Sequence, residues 1–359
     1  MTEDRPAAPA TRTDHTADVA AKLHAFLQRS HGARAVRILD LRLLTGGASR
    51  QTWSFDAVIE HADGRAETLP LVCRSDPRRA QNLMSRETEF ALLQAAAAAG
   101  VPAPKVHLIG DDSLGMPFFL MERVEGETIA RRLLRDDEYA QARGVMTGQL
   151  GAIAAAIHRV PASGQGLDLP SPPPGKSPAE TELERYEVTY RAIAPEPHPA
   201  FELALRRLRR HPPPAGDPTL VHGDYRIGNV IFGPEGVRAV LDWELAHIGD
   251  PMEDLAWLCV RSWRFGNDNL PAGGIGTREE LWQAYEAAGG RRVDAQAVRW
   301  WELFGNLRWG IICIGQARTY LEPATRAALS PGRALELAAI GRRTAETEWE
   351  LLALMGEPG

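Results

Sequence analysis

Apolar and polar positions alternate in two different rhythms along this chain. After a polar, proline-dotted start, residues 18–30 carry apolar side chains at helical spacing and predict a first helix. Three strand-like runs follow, at residues 36–44, 52–59 and 68–74, separated by glycine-containing turns. A helix is expected from Pro77, its apolar stripe running through Leu83, Phe90, Leu92 and Leu93 and stopping at Gly100. VPAPKVHLIG and MPFFLMERV then read as two more strands. Near residues 124–126 the rhythm changes. Long helical patterns occupy residues 140–158, 180–210, 279–288, 299–321 and 333–355, and the proline-rich stretches 161–178 and 212–218 read as loops between helices. The expected organisation is α+β: a disordered head over residues 1–16, a small antiparallel-sheet lobe over 17–124, and a larger, mainly helical lobe over 125–359.

Composition adds limits. With 359 residues, 44% hydrophobic and 25% charged, the chain can bury a core without staples. A net charge of -6 argues against a general nucleic-acid binder, which needs cations to neutralise phosphates. Cys73, Cys259 and Cys313 lie far apart with no CxxC, so neither a zinc knuckle nor a disulfide framework is expected. No apolar run approaches the roughly 18 residues that span a bilayer, and the N-terminus lacks the pattern of a secretion signal. A cytoplasmic setting without membrane partners is the expectation.

The segment LVHGDYRIGNVIFGPEGVRAVLDWELAHIGDPMEDLAW, residues 220–257, carries the chemistry. A strand leads into His222-Gly223-Asp224, a loop runs to Asn229, and the next residues read as a hairpin that returns Asp242 beside Asn229. Two hard oxygen donors then lie together, which suits Mg²⁺ with phosphate and water completing its shell. Asp224 is left to accept a hydroxyl proton.

The spacing resembles the protein-kinase catalytic loop, in which Asp is followed five residues later by Asn and then by a metal-binding Asp. With HGD and DWE at the two ends, the chain resembles the aminoglycoside phosphotransferase/choline kinase-like family over about residues 35–320. The longer run is similar to a branch that includes the kinase-like domains associated with acyl-CoA dehydrogenases, which suggests a functional link to such a dehydrogenase. The resemblance implies a bilobal protein kinase-like fold, ATP as phosphoryl donor, Mg²⁺, and a small-molecule hydroxyl acceptor. It makes Asp224 the base, Asn229 and Asp242 the metal ligands, and Arg226 a counter-charge for the transferring phosphoryl group. Gly46, Gly47 and Ser49, in the turn between the first two strands, are expected at the donor phosphates. Arg74 stands where a protein kinase places lysine, keeping the charge in a forked head, and Glu87 is expected as its partner, with Glu89 the competitor. Residues 121–124, including Glu122 and Val124, read as the hinge that meets the purine through backbone groups. Nothing in them separates ATP from GTP. Asp250 and Asp254 read as supports of the catalytic loop, and His158 and His247 as ordinary interface or surface histidines.

The acceptor side is read from residues 255–321, which hold eight arginines and no lysine against six acidic residues. Charge complementarity there disfavours a polycationic aminoglycoside and favours an apolar acid derivative with an anionic handle, such as a hydroxyacyl-CoA, held near Arg264 and Arg308. An aminoglycoside-type kinase and a nucleotide-binding pseudokinase are the alternatives.

Overall fold

In the computed structural model the described residues are 12–44, 51–75, 84–161, 167–214, 216–327 and 329–356. They divide into two compact units, Met1–Ala97 with Ala103–Glu125, and Ala98–Pro102 with Gly126–Gly359.

The first unit is built on a five-stranded antiparallel sheet. Its strands are β1 (Ala35–Leu44), β2 (Gln51–Glu60), β3 (Ala66–Ser75), β4 (Val106–Ile109) and β5 (Phe118–Glu122), in the order β1-β2-β3-β5-β4. Successive strand residues point to opposite faces, and β5 shows the consequence. Phe118 meets Phe26 of helix α1 (Arg12–His31) edge-on at 5.0 Å, whereas Phe119 meets Phe90 of helix α2 (Arg86–Ala98) at 6.1 Å. One helix therefore covers each face. Helix α1 begins at Arg12, so residues 12–16, expected in the disordered head, extend the helix instead. The first turn of the helix expected from Pro77 lies outside the described residues, which resume before α2.

The second unit is mainly helical. It contains α3 (Ala130–Arg135), α4 (Ala140–Ile157), α5 (Pro178–Ile193), α6 (Pro199–Arg210), α7 (Met252–Cys259), α8 (Arg278–Ala287), α9 (Ala295–Leu321), α10 (Pro323–Ala327), α11 (Pro331–Ile340) and α12 (Arg343–Gly356). Two small antiparallel pairs interrupt the helices: β6 (Thr219–Val221) with β9 (His247–Gly249), and β7 (Val230–Gly233) with β8 (Gly236–Val240). Two expected long helices are each divided. The 180–210 pattern splits at Pro195 and Pro197, which lack the amide a helix needs, and Pro199 opens α6. The 333–355 pattern breaks around Gly341 into α11 and α12. No helix among the described residues is long and apolar enough to cross a membrane.

A cluster of buried charges sits inside this unit. Arg308 of α9 pairs with Glu253 of α7 at 3.0 Å, and the second oxygen of Glu253 lies 3.2 Å from Nε2 of His247 on β9. Glu182 of α5, bound by Arg185, completes the group. His247 is therefore no surface histidine, as the sequence suggested, but a buried member of an ionic network. Burial opposes its charge, yet the adjacent Glu253 and Glu182 raise its pKa to about 9. An unfolded histidine titrates near 6.5. The stabilisation is thus fully present below about pH 6.5 and is lost as pH rises through about 9. The stability advantage of the native chain over His247→Gln, read from urea midpoints, should be largest at pH 6 and shrink steadily towards pH 9–10. A difference that ignores pH would disprove a charged imidazole.

Candidate functional site

Strand β6 delivers the chain into His222-Gly223-Asp224. Gly223 has φ +76°, and a Cβ there would come within 2.3 Å of the Leu245 carbonyl oxygen, so only glycine fits. The amides of His222 and Gly223 both donate to the carboxylate of Asp254, at 2.7 and 2.9 Å. His222 is wholly buried, and burial pushes its pKa down. Its Nε2–H donates to the carbonyl of Leu241 (2.9 Å) while Nδ1 accepts the amide of Asp224 (3.2 Å). One neutral tautomer satisfies both bonds. The loop is thereby tied to the residue that precedes Asp242.

Asp224 is oriented by three donors. One oxygen accepts from Nε of Arg226 (3.0 Å) and from the indole nitrogen of Trp257 (2.7 Å), and the other accepts from the side-chain amide of Asn229 (2.6 Å). Asn229 is buried and also donates to the Asp224 carbonyl, which directs its amide oxygen the other way. The β7–β8 hairpin pairs Val230 with Val240, and the Leu241 amide donates to the Asn229 carbonyl at 2.8 Å. Asp242, the next residue, has φ 60° and ψ 59°, left-handed backbone that a non-glycine residue adopts only where its surroundings impose it. A turn of left-handed backbone thus begins at Asp242, one residue beyond the backbone bond between Leu241 and Asn229. The Asp242 carboxylate and the Asn229 amide oxygen are hard donors of the kind Mg²⁺ takes, and their number leaves room for water and phosphate.

Outside this group lies a supporting layer. Asp254 is fully buried; burial opposes its charge, but the hydrogen bond and charge of His158 and the amide of His222 hold its carboxyl below the usual range. His158, bridging Asp254 (3.1 Å) and the Tyr285 hydroxyl (2.9 Å), is a buried connector rather than an ordinary interface or surface histidine. Asp250 caps Met252 and receives the indole of Trp301 at 2.9 Å. Arg308 donates to the Gly223 carbonyl at 2.7 Å and is 1% exposed. Arg264 is spent on the Cys259 carbonyl and on Glu302. Both arginines hold the interior together, and neither is free to face an anionic acceptor as the sequence suggested. Glu182, His247 and Glu253 bring one ligand atom each within 4.8 Å of one another, a spacing a metal could use. With Arg185 and Arg308 bound to the two carboxylates and His247 itself charged, no negative charge is left over for a metal to neutralise.

In the first unit, Arg74 of β3 lies opposite Phe119, on the sheet face that α2 covers. Its Nε sits 3.1 Å from Glu89, which is 1% exposed and also pairs with Arg86. Glu89 replaces Glu87 as the partner. Glu87 is exposed, whereas Glu89 precedes the buried Leu92 and Leu93 by three and four residues and shares their face. That spacing is visible in the sequence. Gly46, Gly47 and Ser49 lie outside the described residues. Glu122 ends β5 with its amide donating to Lys105 at 2.8 Å, the Arg123 amide donates to Pro70, and Val124 follows the strand. Sequence reasoning gave Trp257 no role; the signal that it touches Asp224 is its place one helical turn after Asp254.

Comparison with known proteins places this geometry. The "Phosphotransferase enzyme family" model matches residues 40–295. A curated relative, acyl-CoA dehydrogenase family member 10 of Mus musculus, is 34% identical over 212 residues, 55% of this chain. That match takes in 20% of the relative, so the chain spans about a fifth of the length of the curated relatives it matches. Among solved structures, a Ralstonia eutropha protein classed provisionally as an aminoglycoside phosphotransferase superposes with a TM-score of 0.70 at 27% identity, covering 92% of this chain and 97% of that one. The GDP complex of aminoglycoside 2'-phosphotransferase-IIIa has the same fold, with a TM-score of 0.60 at 15% identity over 92% of this chain and 99% of that one. With a kinase-like fold and a family match across most of its length, the chain belongs to the phosphotransferase enzyme family.

Proposed function

We propose that this protein transfers the γ-phosphate of ATP to the hydroxyl of a small molecule, a hydroxyacyl-CoA or a similar apolar acid derivative. The observation that carries the reaction is Asp224, whose carboxylate is held by Asn229, Arg226 and Trp257 at a loop tied to Leu241, the residue before Asp242. Asp224 orients the acceptor hydroxyl and takes its proton as the oxygen bonds to phosphorus. The bond from the γ-phosphorus to the β–γ bridging oxygen breaks, and ADP leaves. Asn229 and Asp242 would hold Mg²⁺, which when bound neutralises charge on the donor phosphates. Arg226 binds Asp224 through Nε, and its terminal nitrogens offset charge on the transferring group. Arg74, steadied by Glu89, is assigned to the donor phosphates, as are Gly46, Gly47 and Ser49; Glu122 and Val124 are assigned to the purine.

The acceptor rests on a different support. The curated relatives are named as acyl-CoA dehydrogenases, which associates this domain with thioesters of coenzyme A. Purified protein with MgATP, offered hydroxyacyl-CoAs and aminoglycosides side by side, distinguishes the alternatives. Phosphorylation of the thioester and neglect of kanamycin-like compounds is the expected result. Robust aminoglycoside turnover would overturn the acceptor while leaving the chemistry, and loss of all turnover with intact nucleotide binding would favour a pseudokinase.

Four substitutions test the roles. Asp224→Asn should lower kcat by roughly 10²–10⁴ with nucleotide affinity nearly unchanged; near-native turnover would remove Asp224 as the base. Asp242→Ala should abolish turnover and weaken Mg-dependent ATP binding about tenfold or more in calorimetry. Unaltered affinity would exclude Asp242 as a ligand. Glu89→Gln should raise the KM for ATP about tenfold, while Glu87→Gln, at an exposed position, should change it less than about twofold. Equal effects would return the role to neither.

A further inference from the structure

A cavity of about 550 Å³ opens in the helical unit beside the turn Arg261–Trp263 and the start of α12, on elements that the reaction scheme does not use. Four guanidinium groups line it: Arg131, Arg261, Arg342 and Arg343. Three carboxylates also line it, and the pairing among them is uneven. Arg261 takes both Asp268 (2.8 Å) and Glu350 (3.3 Å), and Arg343 faces Glu346 at 3.8 Å. Neither Arg131 nor Arg342, both exposed, has an ion pair among the described residues. Burial also raises the Glu350 carboxyl above its usual range, which weakens the one acidic group deep in the wall. The cavity therefore presents surplus positive charge in a chain whose net charge is -6.

Its other feature is aromatic. Eight of the nine tryptophans are buried or partly so, whereas Trp349 is 58% exposed at the cavity wall. The Arg261 guanidinium lies 4.3 Å from its ring centroid, so one face carries a cation and the ring retains exposed surface. An exposed indole beside unpaired guanidiniums matches a purine that bears phosphates: the base stacks and the phosphates take forked hydrogen bonds. The size suits such a group. The cavity also connects to the chemistry. Trp263, in the same turn as Arg261, packs against the Arg226 guanidinium at 4.7 Å, and Arg226 binds Asp224.

We propose that this cavity binds the phosphorylated adenosine end of the acceptor, so that Arg131, Arg342 and Trp349 select a coenzyme A thioester over the free acid; this rests on the acceptor reading above. A free nucleotide would offer similar chemistry, and the test separates the two. With the donor site saturated by the non-hydrolysable analogue AMP-PNP and Mg²⁺, adenosine 3′,5′-bisphosphate is titrated calorimetrically into the full chain. One saturable site is expected, weakened about tenfold or more in Arg131→Glu/Arg342→Glu and in Trp349→Ala. Binding that AMP-PNP abolishes would assign the ligand to the donor site and overturn the proposal. So would equal competition by inorganic pyrophosphate, since the purine would then contribute nothing, or affinity unmoved by the substitutions. The double arginine variant should also raise the KM for a hydroxyacyl-CoA but not for its pantetheine thioester, which lacks the nucleotide. If bisphosphate binds as expected and no thioester is phosphorylated, the site stands and the acceptor reading falls. If thioesters are phosphorylated and the variants match the native chain in both assays, the reading stands and the site falls.

Discussion

The His222-Gly223-Asp224 loop depends on a carboxylate that never reaches solvent. Asp254, 0% exposed, accepts the amides of His222 and Gly223 and the imidazole of His158. A buried carboxylate without partners would be costly, and one with three donors is rigid. Because two of those donors are consecutive backbone amides, Asp254 fixes the path of the chain at Gly223, where the φ of +76° admits no side chain. The direction in which Asp224 leaves the loop follows from that path. Trp257 lies on the same helix as Asp254, three residues on, and its indole reaches Asp224 directly. One short helix, α7, therefore sets both the backbone of the loop and the rotamer of its carboxylate.

Much of this was legible before any coordinates, for reasons that differ by element. The five strands and α2 showed themselves because alternation and helical stripes are imposed by one-sided burial. Asp224, Asn229 and Asp242 stood out because hairpin geometry brings the latter two together whatever the surroundings. The partner of Arg74 was misread because charge alone does not distinguish Glu87 from Glu89; the apolar stripe at Leu92 and Leu93 does. The division at Pro195 was equally present in the sequence and was outweighed by the strong periodicity on both sides. Arg264 and Arg308 illustrate a deeper limit. An arginine in a helical segment looks the same whether it faces solvent or closes a buried network with Glu302 or Glu253.

That limit has a physical origin in how the helical unit carries its charge. Arg308, 1% exposed, is tolerated because Glu253 and the Gly223 carbonyl both receive it. A guanidinium suits this role because it stays charged and spans two acceptors in one plane. Arg308 thus holds the loop through a carbonyl, and Asp254 holds it through two amides. Between them the peptide groups around Gly223 are held by polar contacts, added to the packing of the buried Tyr225, Ile227 and Trp243.

A comparable economy governs the first unit. Glu89 lies between Arg74 and Arg86, with all three side chains largely out of solvent. One carboxylate thereby meets two guanidiniums on that face of the sheet. A lysine at position 74 could supply the same charge but only as a point, free to swing about four single bonds. An arginine can spend Nε on Glu89 and keep its terminal nitrogens in a fixed plane. In the observed pair it is Nε that lies against Glu89, at 3.1 Å. An arginine at this position therefore gives up reach for rigidity, and the second arginine, Arg86, lies over Phe119 at 5.7 Å while it pairs with the same carboxylate.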